Sequence, residues 1–223
     1  MHAIHKQTYG TQITEYIKQC ILDGEYGPGE KVNEVDIASR LKVSRAPVRE
    51  ALQYLAQTGL LVSIPQKGKF IAALTAKEIQ DSYFTGGVLE GAAASSTIHL
   101  FTDGDFAAMD KLVQEMGRLG SVPDSREAMA ELDNEFHERI FSHSANTLLR
   151  ELSRRSCQGI SKFLLYRYWR DAFVPGEMHG RHKAVLEALT SRDPVRIESA
   201  IREHYREAGQ RMARYGVETA LHF

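Results

Sequence analysis

Apolar residues recur every three or four positions along most of this chain, and this spacing predicts a mainly α-helical protein. Between Thr11 and Leu22, the residues Ile13, Ile17 and Ile21 fall on one face, as expected for a first amphipathic helix. Further stripes of the same kind, interpreted as core positions, are Leu132/Phe136/Ile140, Leu148/Leu149/Leu152 and Val185/Leu186/Leu189. No alternation typical of β-strands competes with them in the C-terminal two thirds of the chain.

Turn-forming residues divide the C-terminal region into about six helices. A capping-box sequence, with Thr75 as N-cap and Glu78 three residues later, marks where this region begins. The breaks that follow are Asp103-Gly104, Gly120-Ser121-Val122-Pro123, Asn146, Val174-Pro175-Gly176 and Arg192-Asp193-Pro194. Short connections between helices favour an all-helical antiparallel bundle over residues 75–223, preceded by a separate domain over residues 1–74.

The segment Val43–Leu52 has the features of a helix that enters a DNA groove. Ser44 is a suitable N-cap, and Pro47 falls in the first turn, where no intrahelical amide hydrogen bond is lost. Arg45 and Arg49 stand four residues apart and off the apolar stripe, so both suit phosphates and guanine edges. The apolar stripe consists of Val48, Ala51, Leu52 and Leu55. Taken alone, two such arginines fit a solvated helix face equally well.

The flanking sequence favours DNA binding over a merely solvated face. Before the helix in Val43–Leu52, the sequence predicts a capped helix over Asn33–Leu41 and a turn at Lys42-Val43. After it, the sequence predicts two hairpin strands over Leu60–Ser63 and Lys69–Ala72. Helix, turn and helix place the second helix in the major groove, and the hairpin tip at Pro65–Gly68 forms a wing for phosphates or the minor groove. The candidate DNA-binding residues are Ser44, Arg45, Ala46, Pro47, Arg49, Lys67, Gly68 and Lys69.

In these motifs and their order, the first third of the chain resembles the GntR family of bacterial transcription regulators. The matching runs are Gly27–Glu34, Val43–Leu52, Gly59-Leu60-Leu61 and Lys67-Gly68-Lys69. The resemblance implies double-stranded operator DNA as the partner. Val35 departs from the family pattern, because some relatives carry a DNA-contacting arginine at this position. Fewer phosphate contacts are therefore expected for this chain. We also expect a symmetric homodimer reading a pseudo-palindrome, since one short helix offers too few base contacts.

Composition and charge exclude several classes of protein. The chain has 223 residues and a formal net charge of −1, and residues 1–74 carry nine Lys/Arg against seven Asp/Glu. This excess is weak, so specific contacts and dimerisation must supply the DNA affinity. Cys20 and Cys157 lie in different predicted domains, which excludes a disulfide framework or a four-cysteine zinc site. Without a membrane-length apolar run or a signal-peptide core, we expect a cytoplasmic protein with no membrane partner.

Four polar residues of the predicted bundle are candidates for one metal site. Asp133 and His137 are four residues apart on one helix, and His182 and His204 lie on the last two helices. Each of the latter is 11 residues from Asp193, so an antiparallel hairpin places both about 16 Å from its turn. Three imidazoles and a carboxylate suit a borderline divalent metal. The alternative is that they are ordinary core or surface residues, since the chain has nine histidines.

The C-terminal region resembles the FCD ligand-binding domain of the GntR family. The matching residues are Asp133, Phe136-His137, Asn146, Leu148-Leu149, His182, Leu186, Ala188-Leu189 and His204. This resemblance implies that Asp133, His137, His182 and His204 hold a divalent transition metal, zinc or nickel. It also implies a small-molecule effector, commonly a carboxylate, that takes open metal positions with help from an arginine on the first bundle helix.

The first bundle helix departs from this family pattern. Gly86 stands about where the effector-binding arginine would be, which weakens the expectation of a carboxylate and leaves room for a larger pocket. Glu90 on the same helix and Arg139, two residues after His137, are further candidates for the effector pocket. An i+2 position points to another side of the helix, however, which favours a solvated Arg139.

Taken together, these features predict a homodimeric, metabolite-responsive repressor with a metal-centred pocket, rather than an enzyme. A metal-dependent hydrolase is the alternative, because a metal with open positions could activate water. No glutamate or other base has motif-like spacing to the four ligands, which argues against it. In a third interpretation the metal itself is the sensed signal.

Overall fold

The protein divides into two compact units. The computed structural model describes residues 9–123, 125–156 and 162–221. One unit comprises Met1–Thr75 with Gly216–Phe223, and the other comprises Ala76–Tyr215. The predicted fold class, a winged helix-turn-helix followed by a helical bundle, is confirmed by the elements described below.

The first unit contains three helices and a small antiparallel sheet. Its elements are α1 (Tyr9–Leu22), β1 (Lys31–Val32), α2 (Glu34–Leu41), α3 (Arg45–Gln57), β2 (Leu61–Ile64) and β3 (Gly68–Ile71). The strand order is β1-β3-β2, and β2 pairs with β3 from Leu61 opposite Ile71 to Ile64 opposite Gly68. Each wing strand is displaced by one residue from its predicted range, towards the hairpin turn. The core includes Ile17, Ile37, Leu52, Leu55, Leu61 and Ile71, all fully buried.

Local backbone signals fix the helix-turn-helix. The side chain of Asn33 caps α2 by accepting a hydrogen bond from the amide of Val35. Lys42 then ends α2 in the left-handed conformation, with φ of 54°. Ser44 occupies the N-cap position of α3 as predicted, but its hydroxyl makes no capping hydrogen bond within the described residues. That part of the prediction is wrong: the extended backbone of Ser44, rather than its hydroxyl, starts the helix.

A segment at the C-terminal end of the chain belongs to the first unit. The Leu221 amide donates to the carbonyl of Ala73, and the Ala73 amide donates back, at 2.8 and 2.9 Å. The Val217 amide donates to the carbonyl of Leu74 at 2.9 Å. The predicted second domain, residues 75–223, includes this segment, whereas backbone pairing groups Gly216–Phe223 with the winged unit. Nothing in the hydrophobic pattern identifies such a short extended pairing.

The second unit is wholly helical within the described residues. Its helices are α4 (Ala76–Thr97), α5 (Asp103–Leu119), α6 (Arg126–Ile140), α7 (Thr147–Ser153), α8 (Lys162–Leu164), α9 (Tyr166–Ala172), α10 (Pro175–Thr190) and α11 (Pro194–Met212), with 3-10 turns at Ile98–Leu100 and Ala213–Tyr215. The predicted break at Asp103-Gly104 is wrong by a few residues. Thr102 and Asp105 form a capping box, so α5 begins at Asp103 and Gly104 lies inside it.

The apolar stripe predicted on α7 is also only partly a core stripe. Leu148 and Leu152 are 62% and 43% exposed, whereas Ser153 is buried. Leu149 is half-buried. In a helix of seven residues only one narrow face can pack, and here that face carries Leu149 and Ser153, four residues apart. Spacing alone could not distinguish this face from the neighbouring one.

Glycines allow α4 and α11 to pack closely. A Cβ atom on Gly87 would lie 2.8 Å from the Cβ of Tyr205, and one on Gly209 would lie 2.8 Å from the Cβ of Tyr83. Neither contact is possible without moving the helices apart. The absence of side chains at these two positions therefore brings Tyr205 against α4, where the polar cluster described next is built.

Membrane insertion of a helix finds no support in the described part of the chain. Within residues 9–123, 125–156 and 162–221, no helix combines the length and apolar character that a bilayer span requires.

Candidate functional site

The recognition helix α3 presents its predicted DNA-binding residues to solvent. The side chains of Arg45 and Arg49 are 60% and 63% exposed. Ser44 and Ala46 are exposed, while Pro47 is half-buried. The apolar face of the same helix is buried at Val48, Ala51, Leu52 and Leu55. The predicted orientation of this helix, with its arginines directed away from the core, is therefore the one observed.

The wing carries the other predicted contacts. Lys67 and Gly68 are exposed at its turn, where Gln66 and Gly68 have φ values of 63° and 112°. The ammonium group of Lys69 donates to the Oγ of Ser63 at 3.0 Å and is directed back towards the unit. Lys67 is therefore the freer of the two lysines to meet a phosphate.

Both recognition-helix arginines are bound by one carboxylate that the sequence analysis overlooked. The Nε of Arg45 donates to Glu34 Oε1 at 2.9 Å, and Arg49 donates from Nη2 to Oε1 at 2.9 Å and from Nε to Oε2 at 3.2 Å. The hydrogen bond from Arg49 lowers the pKa of Glu34, and the same contact raises the pKa of Arg49. Glu34 is therefore ionised at neutral pH.

The four predicted metal-binding residues lie together in the core of the helical unit. Asp133 and His137 come from α6, His182 from α10 and His204 from α11. One ligand atom from each lies within 4.8 Å of all the others. All four residues are buried, and the rings of His182 and His204 have centroids 4.9 Å apart. The predicted equal height of these last two histidines in the α10–α11 hairpin is thus observed.

Hydrogen bonds outside the cluster orient two of the imidazoles. The Nδ1 of His182 lies 2.8 Å from the carbonyl oxygen of Met178, which can only accept, so Nδ1 carries the proton. The Nε2 of His182 consequently faces Asp133 Oδ1 at 3.0 Å. In the same way, the Nδ1 of His137 lies 2.7 Å from Glu90 Oε1, and its Nε2 lies 3.8 Å from Asp133 Oδ1.

This arrangement points unprotonated nitrogen atoms at a carboxylate. A neutral imidazole with its proton on Nδ1 has a lone pair on Nε2, and two acceptors 3.0 Å apart repel unless a cation lies between them. Ligand atoms around a tetrahedral zinc are about 3.4 Å apart. Here the two nitrogen-to-oxygen distances to Asp133 are 3.0 and 3.8 Å, and all four candidate ligand atoms lie within 4.8 Å of one another. The donor set and its outward-facing hydrogen bonds therefore fit a divalent transition metal.

Burial keeps the histidines in the form that binds metal. Desolvation lowers the pKa of His182, against the opposing effect of Asp133. Desolvation also lowers the pKa of His204 well below its ordinary value, with a further contribution from the neighbouring His182. Both imidazoles are accordingly neutral at pH 7, and neutral imidazole is the ligand form.

Glu90 and Tyr205 form a supporting layer around His137. Glu90 is fully buried, and its second carboxylate oxygen accepts from the hydroxyl of Tyr205 at 2.7 Å. The carboxylate therefore joins α6 to α11 through one histidine and one tyrosine. Glu90 is thus a predicted pocket residue that contacts His137, whereas no sequence signal marks Tyr205, because only the close packing of α4 and α11 brings the two together.

The remaining pocket candidates lie in different surroundings. Gly86 is buried on α4. Arg139 donates to Glu135 on the outer side of α6, and its side chain is 42% exposed, so the structure does not bring it to the cluster. Arg139 is therefore a solvated residue, as its position two residues after His137 predicts.

A buried arginine that the sequence analysis missed lies next to the cluster. The side chain of Arg181 is 11% exposed. It donates to Glu207 Oε2 at 3.1 Å and to the carbonyl oxygen of His204 at 3.2 Å, and it lies over the ring of Phe173. Burial lowers its pKa, and Glu207 opposes that effect. No motif marks this residue, since an arginine beside a histidine on a helix is usually solvated.

Comparison with known proteins gives the same division of the chain. Residues 10–71 match the family model described as bacterial regulatory proteins, gntR family, and residues 81–207 match that of the FCD domain. The Nta operon transcriptional regulator of Aminobacter aminovorans is 32% identical over 75% of this chain and 77% of its own length. A probable D-xylose utilization operon transcriptional repressor of Paenarthrobacter nicotinovorans is 28% identical over 89% of this chain and 86% of its own.

Solved structures agree with this fold. A putative GntR transcriptional regulator from Rhodococcus sp. RHA1 superposes with a TM-score of 0.68, at 22% identity, over 92% of this chain and 98% of its own. McbR/YncC of E. coli superposes with a TM-score of 0.67, at 19% identity, over 94% and 99% of the two chains. At these identities the likeness concerns the fold alone.

Proposed function

Since this chain belongs to the GntR family of bacterial regulatory proteins and carries an FCD domain, we propose that it is a metabolite-responsive repressor with a metal-centred effector pocket. Like its relatives, which are transcriptional regulators, it is a DNA-binding transcription regulator and not an enzyme. In the proposed function it acts in the cytoplasm as a homodimer, and two copies of α3 read the halves of a pseudo-palindromic operator.

The main support for the proposed metal pocket is a buried contact, in which Nε2 of His182 lies 3.0 Å from Oδ1 of Asp133. Asp133, His137, His182 and His204 would hold zinc or nickel, which when bound supplies a Lewis-acidic positive charge to a small anion. The guanidinium of Arg181, which pairs with Glu207, is a second buried cation beside the cluster. A small carboxylate can bind both the metal and the guanidinium of Arg181, and it is therefore the proposed class of effector.

The test is to purify the protein without chelator and to identify its bound metal and small molecules by mass spectrometry. Operator affinity is then measured for the metal-loaded protein with and without each candidate carboxylate. A change that requires both metal and carboxylate supports the proposal. A change on adding metal alone would make the metal the sensed signal, and no bound metal at saturating zinc or nickel would contradict the pocket.

Arg49→Ala is expected to weaken operator binding about 5- to 150-fold, if Arg49 reads a base edge through two hydrogen bonds. Gel-shift or fluorescence titrations with the operator measure this loss. Arg40→Ala is the matched control, because Arg40 pairs with Glu25 away from the recognition helix. Unchanged operator affinity at low salt in a combined Arg45→Ala/Arg49→Ala variant would contradict the assignment of α3.

Lys67→Ala is expected to weaken binding to operator and to random DNA by the same factor. An exposed wing lysine contacts phosphates and reads no base, so its loss also reduces the slope of log affinity against log salt by about 0.9. Titrations at several salt concentrations give this slope. Lys77→Ala, which removes an exposed lysine from α4, should leave it unchanged. A loss confined to the operator would contradict the phosphate assignment.

The C-terminal segment gives the pocket a second covalent route to the DNA-binding unit. His204 lies on α11, and the chain continues from that helix through Ala213–Tyr215 into the segment paired with Ala73 and Leu74. The other route is the short connection at Leu74-Thr75, which leads directly into α4. We propose that both routes carry the effector signal, with the usual coupling of about 5- to 150-fold in affinity.

Ending the chain after Gly216 is therefore expected to reduce the effector's influence on operator affinity by about 2-fold or more without abolishing it, because the Leu74-Thr75 connection remains, while effector binding persists. The physical reason is the loss of the hydrogen bonds that Val217 and Leu221 make to Leu74 and Ala73. Operator titrations with and without effector measure it, and Val217→Ala, which keeps the backbone donor, serves as control. A full response in the shortened chain would limit the coupling to the Leu74-Thr75 connection.

A further inference from the structure

Glu34 lies between the two arginines of the recognition helix. As the first residue of α2, it reaches both Arg45 and Arg49 of α3 through three hydrogen bonds of 2.9 to 3.2 Å. Its side chain is 20% exposed, against 60% and 63% for the two arginines. The carboxylate is thus sheltered beneath guanidinium groups whose outer ends reach solvent.

This geometry determines which part of each guanidinium remains for DNA. A guanidinium is a planar fork of five N–H donors. Arg49 directs its Nε edge at both oxygens of Glu34, and Arg45 directs its Nε at one of them. The outer nitrogen atoms stay available, and a pair of such N–H groups matches O6 and N7 of guanine. Both arginines are therefore held in orientation before DNA is bound, which reduces the side-chain entropy lost on binding.

The same carboxylate weakens the attraction of the arginines to phosphates. With Glu34 ionised, the three side chains carry a net charge of +1 instead of +2. Residues 1–74 have only nine Lys/Arg against seven Asp/Glu, so this one charge is a large share of the excess. Binding to random DNA depends almost entirely on such charge, whereas base reading depends on the orientation of donors.

We propose that Glu34 is a specificity-determining residue of the operator-reading surface: it positions Arg45 and Arg49 for base edges and reduces their binding to phosphates. This inference rests on the proposed function, in which these two arginines read DNA. It assigns to an acidic residue, which DNA would repel, a role in recognising DNA.

The test compares two DNA ligands. The wild-type protein selects an operator from a pool of random duplexes, and affinities for that operator and for a random duplex of equal length are measured at several salt concentrations. Glu34→Gln, which removes the charge and keeps the shape, should bind the random duplex about 3-fold tighter or more, with a steeper salt dependence. It should bind the operator no tighter, so the ratio of the two affinities falls about 10-fold.

Two further variants separate charge from position. Glu34→Asp keeps the charge, but its side chain is one methylene shorter and cannot reach both arginines, so it should lose operator affinity without gaining affinity for random DNA. Glu25→Gln removes the same charge from the pair that Glu25 makes with Arg40, outside the recognition helix. Its ratio of operator to random affinity should stay within about 2-fold of wild type.

The outcomes are distinguishable. If Arg49→Ala lowers operator affinity while Glu34→Gln keeps the wild-type ratio, the inference about Glu34 is overturned and the DNA-reading surface stands. If Arg49→Ala leaves operator affinity unchanged, the proposed DNA-reading function itself fails. If Glu34→Gln loses affinity for both duplexes alike, together with a lower thermal midpoint, Glu34 stabilises the fold only and the inference is again overturned.

Discussion

His182→Ala is expected to lower the affinity of the protein for zinc or nickel by at least about 100-fold. His182 is fully buried, and the carbonyl of Met178 fixes its Nδ1 so that Nε2 faces Asp133. Without this imidazole the site keeps two histidines and one carboxylate, with a cavity in place of the ring. The response of operator affinity to effector should disappear with the metal, whereas operator binding by the effector-free protein should persist, because the winged unit is untouched.

Metal analysis of the purified variant and operator titrations with and without effector measure both expectations. His179→Ala is the matched control: it removes a histidine from the same helix that lies beside Gly117 and is not one of the four clustered residues. A variant that keeps one equivalent of tightly bound metal and still responds to effector would contradict the four-ligand site. Loss of metal in both variants would indicate damage to α10 in place of a lost ligand.

The clustering of Asp133, His137, His182 and His204 could be predicted because their positions follow from helix geometry. Asp133 and His137 are one turn apart on α6, and His182 and His204 are equally distant from the turn at Asp193. An antiparallel hairpin converts equal sequence distance into equal height, whatever the surrounding side chains. The resemblance to the FCD domain added the choice of these three histidines among the nine of the chain, which spacing alone did not settle.

The side chains around this cluster could not be predicted, since their contacts depend on how closely the helices approach one another. Glu90 meets Tyr205 only because Gly87 lets α11 pack against α4. Arg181 is buried because Phe173 and Glu207 happen to cover it. In each case no pattern in the sequence indicates which residue the side chain will contact.

The winged unit gives the same contrast. Hydrophobic spacing placed Arg45 and Arg49 on the outer face of α3 correctly. It gave no indication that Glu34, 11 residues before Arg45, pairs with both, since the turn between α2 and α3 determines that contact. Backbone pairing of the C-terminal segment with Ala73 is missed for a related reason: two or three hydrogen bonds between short extended stretches leave no periodic pattern.

The stability of the metal-free helical unit is expected to fall as the pH drops below about 6.5, the ordinary imidazole pKa. Burial lowers the pKa of both His182 and His204 in the folded state. Above that pH the imidazoles are neutral in the folded and unfolded states, and no penalty arises. Below about pH 6.5 the unfolded chain binds protons at these imidazoles and the folded chain does not. The free energy of unfolding therefore decreases as the pH falls towards the folded-state pKa values.

The unfolding free energy of the metal-free protein should therefore be lower at about pH 5.5 than at about pH 7. Urea titrations followed by the fluorescence of Trp169, the single tryptophan, report on this unit because Trp169 is buried in it. His204→Asn should remove part of this pH dependence, because it removes one of the two buried imidazoles. Saturating zinc should steepen the loss, because protons then also displace the metal from the same nitrogen atoms. A metal-free protein whose unfolding free energy is constant across this range would show that the two imidazoles are not held neutral by burial, and the argument that a cation is needed between His182 and Asp133 would lose its basis.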